Sequence, residues 1–126
     1  MTQEEKDLVL KDIGARLYYG VKINVPVVEK NMIFTVVGIS ETWILVKNDR
    51  GSIFNVNTSL EFKPYYRPMS SMTNDELNDF LSLSPQGCSI TSMVVKFEWL
   101  NKKMIDYMGL IPKGLALEAP DGMYNI

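Results

Sequence analysis

The segment that decides the fold runs from Val21 to Tyr66 as a succession of short apolar stretches separated by turn residues. The stretches are VKINV (21–25), MIFTVVGI (32–39), TWILVKN (42–48), SIFNVN (52–57) and SLEFKPYY (59–66). Alternating apolar and polar residues, as in VKINV, give the period of a half-buried strand. The segment therefore predicts five short antiparallel strands joined by tight turns.

The order of these strands is partly predictable. MIFTVVGI is apolar on both faces, so we expect it to lie at the centre of the sheet. Asn48-Asp49-Arg50-Gly51 is the strongest turn signal, because Gly51 occupies a position that favours a left-handed backbone. Five strands in about 45 residues predict an SH3-like barrel or a curved sheet, and the sequence leaves both open.

Helices are predicted on both sides of the strands. Thr2 and Glu5 form a capping box, which predicts a helix over residues 3 to about 16. Thr73 and Glu76 form a second capping box, which opens a helix that should end near Leu83. We expect this second helix to turn three apolar side chains inward, namely Leu77, Phe80 and Leu81.

A longer helix is predicted from about Thr91 to Met108, with Gly109 at its C-terminal cap. Its predicted apolar stripe comprises Met93, Phe97, Leu100, Met104 and either Tyr107 or Met108. The chain, residues 1–126, is therefore predicted to be one α+β domain. Residues 1–20 form the N-terminal helix, residues 21–68 the barrel or sheet, and residues 69–126 a helical section with an ordered tail.

Composition excludes several kinds of chemistry. The chain has no histidine, which removes Ser-His and Cys-His nucleophiles and nearly all zinc sites. Its single cysteine, Cys88, is typical of a small buried hydrophobe in a reducing compartment. Glycine-rich phosphate loops and nucleophile elbows are also missing from the sequence. We therefore expect a non-enzymatic, cytoplasmic protein without a metal or a cofactor.

The most suggestive binding residues are Lys63, Tyr65, Tyr66 and Arg67, with Trp43 near them on a strand. Aromatic rings interleaved with cations can stack on bases and hold phosphates. The alternative, which is the more common role, is that the tyrosines pack helices onto the sheet. The sequence leaves both interpretations open.

A second cluster comprises Lys96, Trp99, Lys102 and Lys103 on the polar side of the long helix. It is either a solvated face or a surface that meets another subunit. A helix of this kind offers an isologous surface, so a homo-oligomer is a possible arrangement.

Three motifs carry a resemblance. EEKDLVLKDIGARLYYGVKI (4–23), KPYYRPMSSMTNDE (63–76) and GLALEAPDGMY (114–124) resemble segments of a group of small proteins encoded by phages and prophages of gut bacteria. The motifs mark that group but carry no established mechanism. The resemblance implies a phage or mobile-element protein that acts inside a bacterial host cell.

The leading hypothesis is a non-enzymatic phage accessory protein that works by binding. It would engage a host protein or a small nucleotide-like ligand, as a counter-defence protein would. The alternatives are a nucleic-acid-binding SH3-like barrel and a virion or assembly component. A formal net charge of -2 counts against nucleic acid, because phosphate binding needs a basic surface.

Overall fold

The structure, a computed structural model, describes residues 1–28, 32–83 and 90–124. Within these ranges it contains three α-helices, α1 (Gln3–Ala15), α2 (Asn74–Ser82) and α3 (Ile90–Lys102), and two short 3-10 helices, Leu17–Tyr19 and Met69–Ser71. It also contains six strands, β1 (Lys22–Asn24), β2 (Phe34–Ile39), β3 (Trp43–Lys47), β4 (Ile53–Asn57), β5 (Lys63–Tyr66) and β6 (Leu117–Glu118). The α+β class is confirmed, whereas Cys88 lies outside the described residues.

The six strands form one open, mixed sheet in the order β4-β3-β2-β1-β5-β6. The pairings among β1 to β5 are antiparallel, but β6 joins β5 in parallel. The SH3-like barrel of five antiparallel strands is therefore not confirmed, because the sheet has a sixth strand and does not close. β6 spans only two residues, which is too short to show a strand period in the sequence.

Local signals set the start of α1 and α2. The Thr2 hydroxyl accepts from the Glu5 amide at 3.1 Å, and the Glu5 carboxylate accepts from the Thr2 amide at 2.8 Å. Thr73 and Glu76 make the same reciprocal pair of hydrogen bonds at the start of α2. Both predicted capping boxes are confirmed.

The predicted end of α3 is wrong, since the helix ends at Lys102 and not at Met108. Ile105 N–H donates to the Leu100 carbonyl at 3.0 Å and Met104 N–H to the Asn101 carbonyl at 3.1 Å, which is a Schellman termination. Met104 takes the left-handed position with φ 58°. Its side chain is fully buried, and this packing offsets a backbone cost of roughly 1–2 kcal/mol for a residue other than glycine.

The core lies between α1, the inner face of the sheet and the tail that follows α3. Alternation assigns the faces: Ile44 and Val46 of β3 are buried, while Trp43 and Lys47 are exposed. The other main core residues are Val9, Ile13, Val21, Ile23, Phe34, Val36, Val56, Leu110 and Leu115. Helix α2 buries none of its residues. The prediction that Leu77 and Leu81 point inward is wrong, because both are exposed, while Phe80 is half-buried.

A buried cationic cluster joins α1 to the rest of the fold. Arg16, one residue beyond α1, is fully buried, and its Nε lies 3.2 Å from Oδ2 of Asp12. Its guanidinium carbon lies 4.1 Å from the centroid of the Tyr66 ring and 5.1 Å from that of Tyr107. Burial, with the Asp12 carboxylate adding to it, raises the pKa of Tyr66 well above its ordinary value. The Arg16 cluster (Asp12, Arg16, Tyr66 and Tyr107) thus links α1, β5 and the segment after α3.

We expect the substitution Arg16→Met to lower the free energy of unfolding by about 3–5 kcal/mol, because it leaves the Asp12 carboxylate buried without a counter-ion. Combining it with Asp12→Asn should recover part of this loss, since both charges are then removed. Urea unfolding followed by circular dichroism measures the effect. Arg50→Met, at an exposed turn, is the control and should change stability by less than about 0.5 kcal/mol. Equal stability of the R16M and R50M variants would show that the cluster does not hold the fold together.

Candidate ligand-binding site

The structure disperses the residues predicted to bind a ligand. Tyr66 is fully buried against Arg16. Trp43 lies on β3, three strand spacings or about 14 Å from β5, because β2 and β1 lie between them. Lys63 and Tyr65 are half-buried on β5, and Lys63 lines a separate cleft of about 530 Å³. The stacking site predicted from these neighbours in sequence is not assembled in the described chain.

Arg67 is held by a carboxylate. Its guanidinium donates to Glu76 through two hydrogen bonds, at 2.9 and 2.7 Å, and to the Ser71 carbonyl at 3.2 Å. The hydrogen bonds from Arg67 are the main cause that lowers the pKa of Glu76 to about 2. Glu76 also completes the capping box of α2. The bidentate pair therefore positions α2 on the end of β5, and it neutralises a cation predicted to hold a ligand.

The Arg67–Glu76 pair should make stability fall at acid pH. The folded-state pKa of Glu76 is lowered, so its contribution is complete above its ordinary value of 4.5 and is lost as pH falls from there toward about 2. We expect Glu76→Gln to lose on the order of 1–3 kcal/mol at neutral pH and to flatten the decline below pH 4.5.

Urea unfolding of the wild type and the E76Q variant at neutral and acid pH checks this prediction. Glu61→Gln, at an exposed position, is the matched control and should keep the wild-type pH profile. An unchanged acid dependence in the E76Q variant would contradict the assignment.

The tail is anchored between two strands by Tyr124. Its hydroxyl accepts from the Lys22 amide at 2.9 Å and donates to the Tyr65 carbonyl at 2.8 Å. In the ladder of β1 and β5, Ile23 is opposite Pro64, which has no N–H to donate. The Tyr124 hydroxyl joins the two strands just beyond this pair. Burial is the main cause that raises the pKa of Tyr124.

Tyr124 lines two clefts of about 410 Å³ each. The first contains the Arg67–Glu76 pair, and its other charged lining residues have both signs: Lys103, Glu118 and Asp121. The second is lined by Tyr19, Gly20, Lys22, Thr35, Lys102, Met123 and Tyr124. Among the described residues, no carboxylate lines this second cleft, which we name the basic cleft.

Four parts of the chain build the basic cleft: the turn before β1, the β1–β2 pair, the end of α3 and the tail with Tyr124. Lys22 of β1 is opposite Thr35 of β2, and its Nζ donates to the Thr35 hydroxyl at 3.0 Å. Lys102 is the exposed last residue of α3, where the helix dipole favours a cation. Tyr19 ends the 3-10 helix that follows α1, and Gly20, with a φ of 78°, caps this helix and turns the chain toward β1. The cleft thus combines two ammonium groups with two phenol rings.

The cleft has the size and lining of a small-molecule site. Its volume lies within the range of about 300–1,000 Å³ that is common for ligand pockets. Two ammonium groups can hold a phosphate or carboxylate, and a tyrosine face can stack on a planar ring. An adjoining cleft of about 420 Å³ shares Lys22 and Thr35 but also contains Asp49 and Asp121, so its lining is less favourable for an anion than that of the basic cleft.

The residues predicted to form an interface, Trp99, Lys102 and Lys103, make contacts in three different places. Trp99 is half-buried, and its ring centroid lies 5.6 Å from that of Phe80. Lys103 places Nζ 5.8 Å from the Trp99 ring and lines the first cleft. Lys102 lines the basic cleft. The alternation in VKINV predicts that Lys22 lies on the polar face of its strand. No pattern in the sequence predicts that the Lys22 amide donates a hydrogen bond to the Tyr124 hydroxyl.

Comparisons of the chain with protein-family models, curated proteins and solved structures found no match. Within the described ranges, no group of three or more metal-binding side chains comes together. No helix in the same part of the chain is long and apolar enough to cross a bilayer. The functional interpretation therefore depends on the geometry of the clefts and surfaces.

Proposed function

We propose that this chain is a non-enzymatic accessory protein that binds a small, anionic, nucleotide-like ligand in the basic cleft. The supporting observation is that Lys22 and Lys102, from separate elements, line one cleft with the rings of Tyr19 and Tyr124 and without a carboxylate among the described lining residues. This arrangement differs from the first cleft, where Glu76, Glu118 and Asp121 oppose an anion. The charge of the lining therefore favours an anionic ligand in the basic cleft over one in the first cleft.

The ligand class follows from the two kinds of group in the cleft. A nucleoside phosphate presents a planar base and a phosphate on one small molecule. The ammonium groups of Lys22 and Lys102 would hold the phosphate, and the phenol ring of Tyr19 would contact the base. The Lys22 Nζ is already oriented by the Thr35 hydroxyl, which reduces the entropy that it loses on binding.

The biological role extends the same proposal. The resemblance to phage-encoded proteins would make ligand binding a means of sequestration inside a bacterial cell, as in counter-defence. Sequestration requires a site with affinity for the ligand and no catalytic group. A nucleic-acid partner is less favoured, because the chain as a whole is acidic and a phosphate backbone needs an extended basic track.

Isothermal titration calorimetry with adenosine monophosphate and with inorganic phosphate tests the proposal at low salt. We expect both probes to bind the wild type, with Lys22→Met and Lys102→Ala each weakening them about tenfold or more, or about 1.4 kcal/mol. Tyr19→Ala should weaken adenosine monophosphate but spare phosphate, because the ring contacts only the base.

Lys11→Ala removes a cation from the exposed side of α1 and is the matched control. It should bind both probes as the wild type does. Absence of binding by the wild type, or an equal loss in the K11A variant, would overturn the proposal. Binding of a single-stranded oligonucleotide with a steep salt dependence, and none of the mononucleotide, would also overturn it and would favour a nucleic-acid partner.

A further inference from the structure

Strand β4 forms an open edge of the sheet. In the part of the chain that the structure describes, its only neighbour in the sheet is β3, and four of its five residues are exposed. Its register with β3 runs unbroken over five pairs, from Trp43 opposite Asn57 to Lys47 opposite Ile53. The strand is therefore regular enough to accept a further strand on its free side.

The hydrogen-bond pattern shows which backbone groups of β4 face outward. Thr58 N–H donates to the Thr42 carbonyl at 3.1 Å, immediately after the ladder. Because hydrogen-bonded pairs alternate with non-hydrogen-bonded pairs in an antiparallel ladder, Val56 and Phe54 also bond to β3. The residues that direct their N–H and C=O groups to the open edge are Ile53, Asn55 and Asn57.

Two of these residues have both backbone groups available. The Asn57 carbonyl already accepts from the Leu60 amide at 3.0 Å. Among the described residues of β4, Ile53 and Asn55 therefore offer both a donor and an acceptor at the edge. An extended backbone is the partner that matches this spacing of donors and acceptors.

The two edges of the sheet differ in how they are protected. Natural sheets block unwanted pairing with very short edge strands, charged residues or proline. The opposite edge has all three features, since β6 spans two residues, one of them Glu118, and Pro120 follows shortly after. By contrast, β4 contains no charged residue and no proline, and Ile53 and Phe54 are 57 and 39% exposed. The β4 edge is therefore the one suited to pairing with another strand.

We propose that β4 pairs with β4 of a second copy as antiparallel strands, across a two-fold axis that passes beside Phe54. This register places Phe54 opposite its own counterpart, and Ile53 opposite Asn55 of the second copy. Each pair of Ile53 with Asn55 exchanges two hydrogen bonds, so the free N–H and C=O groups of these residues are all satisfied. The two six-stranded sheets then form one continuous sheet.

The side chains of β4 are complementary to themselves in this register, which identifies the occupant as a second copy. Phe54 lies on the core face of the sheet, where its ring centroid is 6.2 Å from that of Phe34. Its exposed part would pack against the same ring of the second copy as a cross-strand aromatic pair. On the other face, the two Ile53 side chains would be diagonal neighbours. Both exposed apolar residues of β4 are thus covered by their own counterparts.

A neighbouring register is less favourable. An axis at Asn55 would set Ile53 opposite Asn57, so an exposed apolar side chain would meet a polar one. The Asn57 side chain and carbonyl also already accept from the Ser59 and Leu60 amides. The Phe54 register is therefore the one that pairs apolar with apolar side chains. It is independent of the ligand proposed for the basic cleft, because no residue of β4 lines that cleft.

Disulfide trapping tests the register on the full chain, with Cys88→Ser to remove the native thiol. In that background, Phe54→Cys puts two thiols at the axis, where the Cα atoms of a non-hydrogen-bonded pair lie about 4.5 Å apart, within the range of a disulfide. We expect air oxidation to convert most of this variant into a covalent dimer. Asn57→Cys is the matched control, because its two copies would lie about 20 Å apart along the strands and should stay unlinked.

Sedimentation velocity over a hundredfold range of protein concentration measures the association without a cross-link. We expect the wild type to dimerise as its concentration rises. Asn55→Pro should raise the dimer dissociation constant about tenfold or more, because it removes an outward N–H and no bond to β3. Ile53→Lys should do the same by placing two ammonium groups near each other. Ile90→Lys, the same change at an 83% exposed residue of α3, is the control and should dimerise as the wild type does.

Circular dichroism of the variants should match the wild type. A wild type that is monomeric at every concentration would overturn the proposal. Equal cross-linking of the F54C and N57C variants would also overturn it, because the strands would then have no fixed register. Dimers that persist unchanged in both the N55P and I53K variants, or equal dissociation of the I90K variant, would show that the contact lies elsewhere.

Discussion

The fold depends on a buried arginine. Arg16 follows the end of α1, and its guanidinium lies against the ring of Tyr66, near the ring of Tyr107 and beside the Asp12 carboxylate. A buried guanidinium is stable only where a carboxylate and aromatic faces replace its water. Each of these groups comes from a different part of the chain, so α1, β5 and the segment after α3 must be assembled together. The sheet alone would not define their relative positions.

The same assembly creates the candidate binding surfaces. Tyr66 packs against Arg16, and Arg67 forms an ion pair with Glu76. The residues that join β5 to α2 therefore hold the fold together and are not free to bind a ligand. The tail returns beside β5, where the Tyr124 hydroxyl bonds to both β1 and β5 and where Tyr124 lines both the mixed-charge cleft and the basic cleft. Several apolar side chains of α2 and α3 then remain exposed, among them Leu81 and Ile90. The proposed ligand binding thus follows from how the C-terminal half is attached.

Sequence patterns predicted the elements better than their contacts. Capping boxes, strand alternation and the turn before Gly51 depend on residues close in sequence, and the structure contains all three. Burial of Met104 imposed a left-handed residue that propensity disfavours, so the end of α3 was missed. The parallel strand β6 and the cleft around Tyr124 depend on contacts across more than 50 residues, for which a local pattern carries no information. The exposed apolar stripe of α3 has the same helical period that a buried stripe would have. Periodicity alone does not say whether the apolar side of a helix faces the core or the solvent.

The central claim is that the basic cleft retains a small anionic ligand. Native mass spectrometry of the protein purified gently from bacterial lysate, compared with its mass after denaturation, tests this claim most directly. The account predicts an extra mass for each subunit that disappears on denaturation and is absent when Lys22→Met and Lys102→Ala are combined. Bare chain masses under both conditions, or an extra mass that survives the two substitutions, would contradict it.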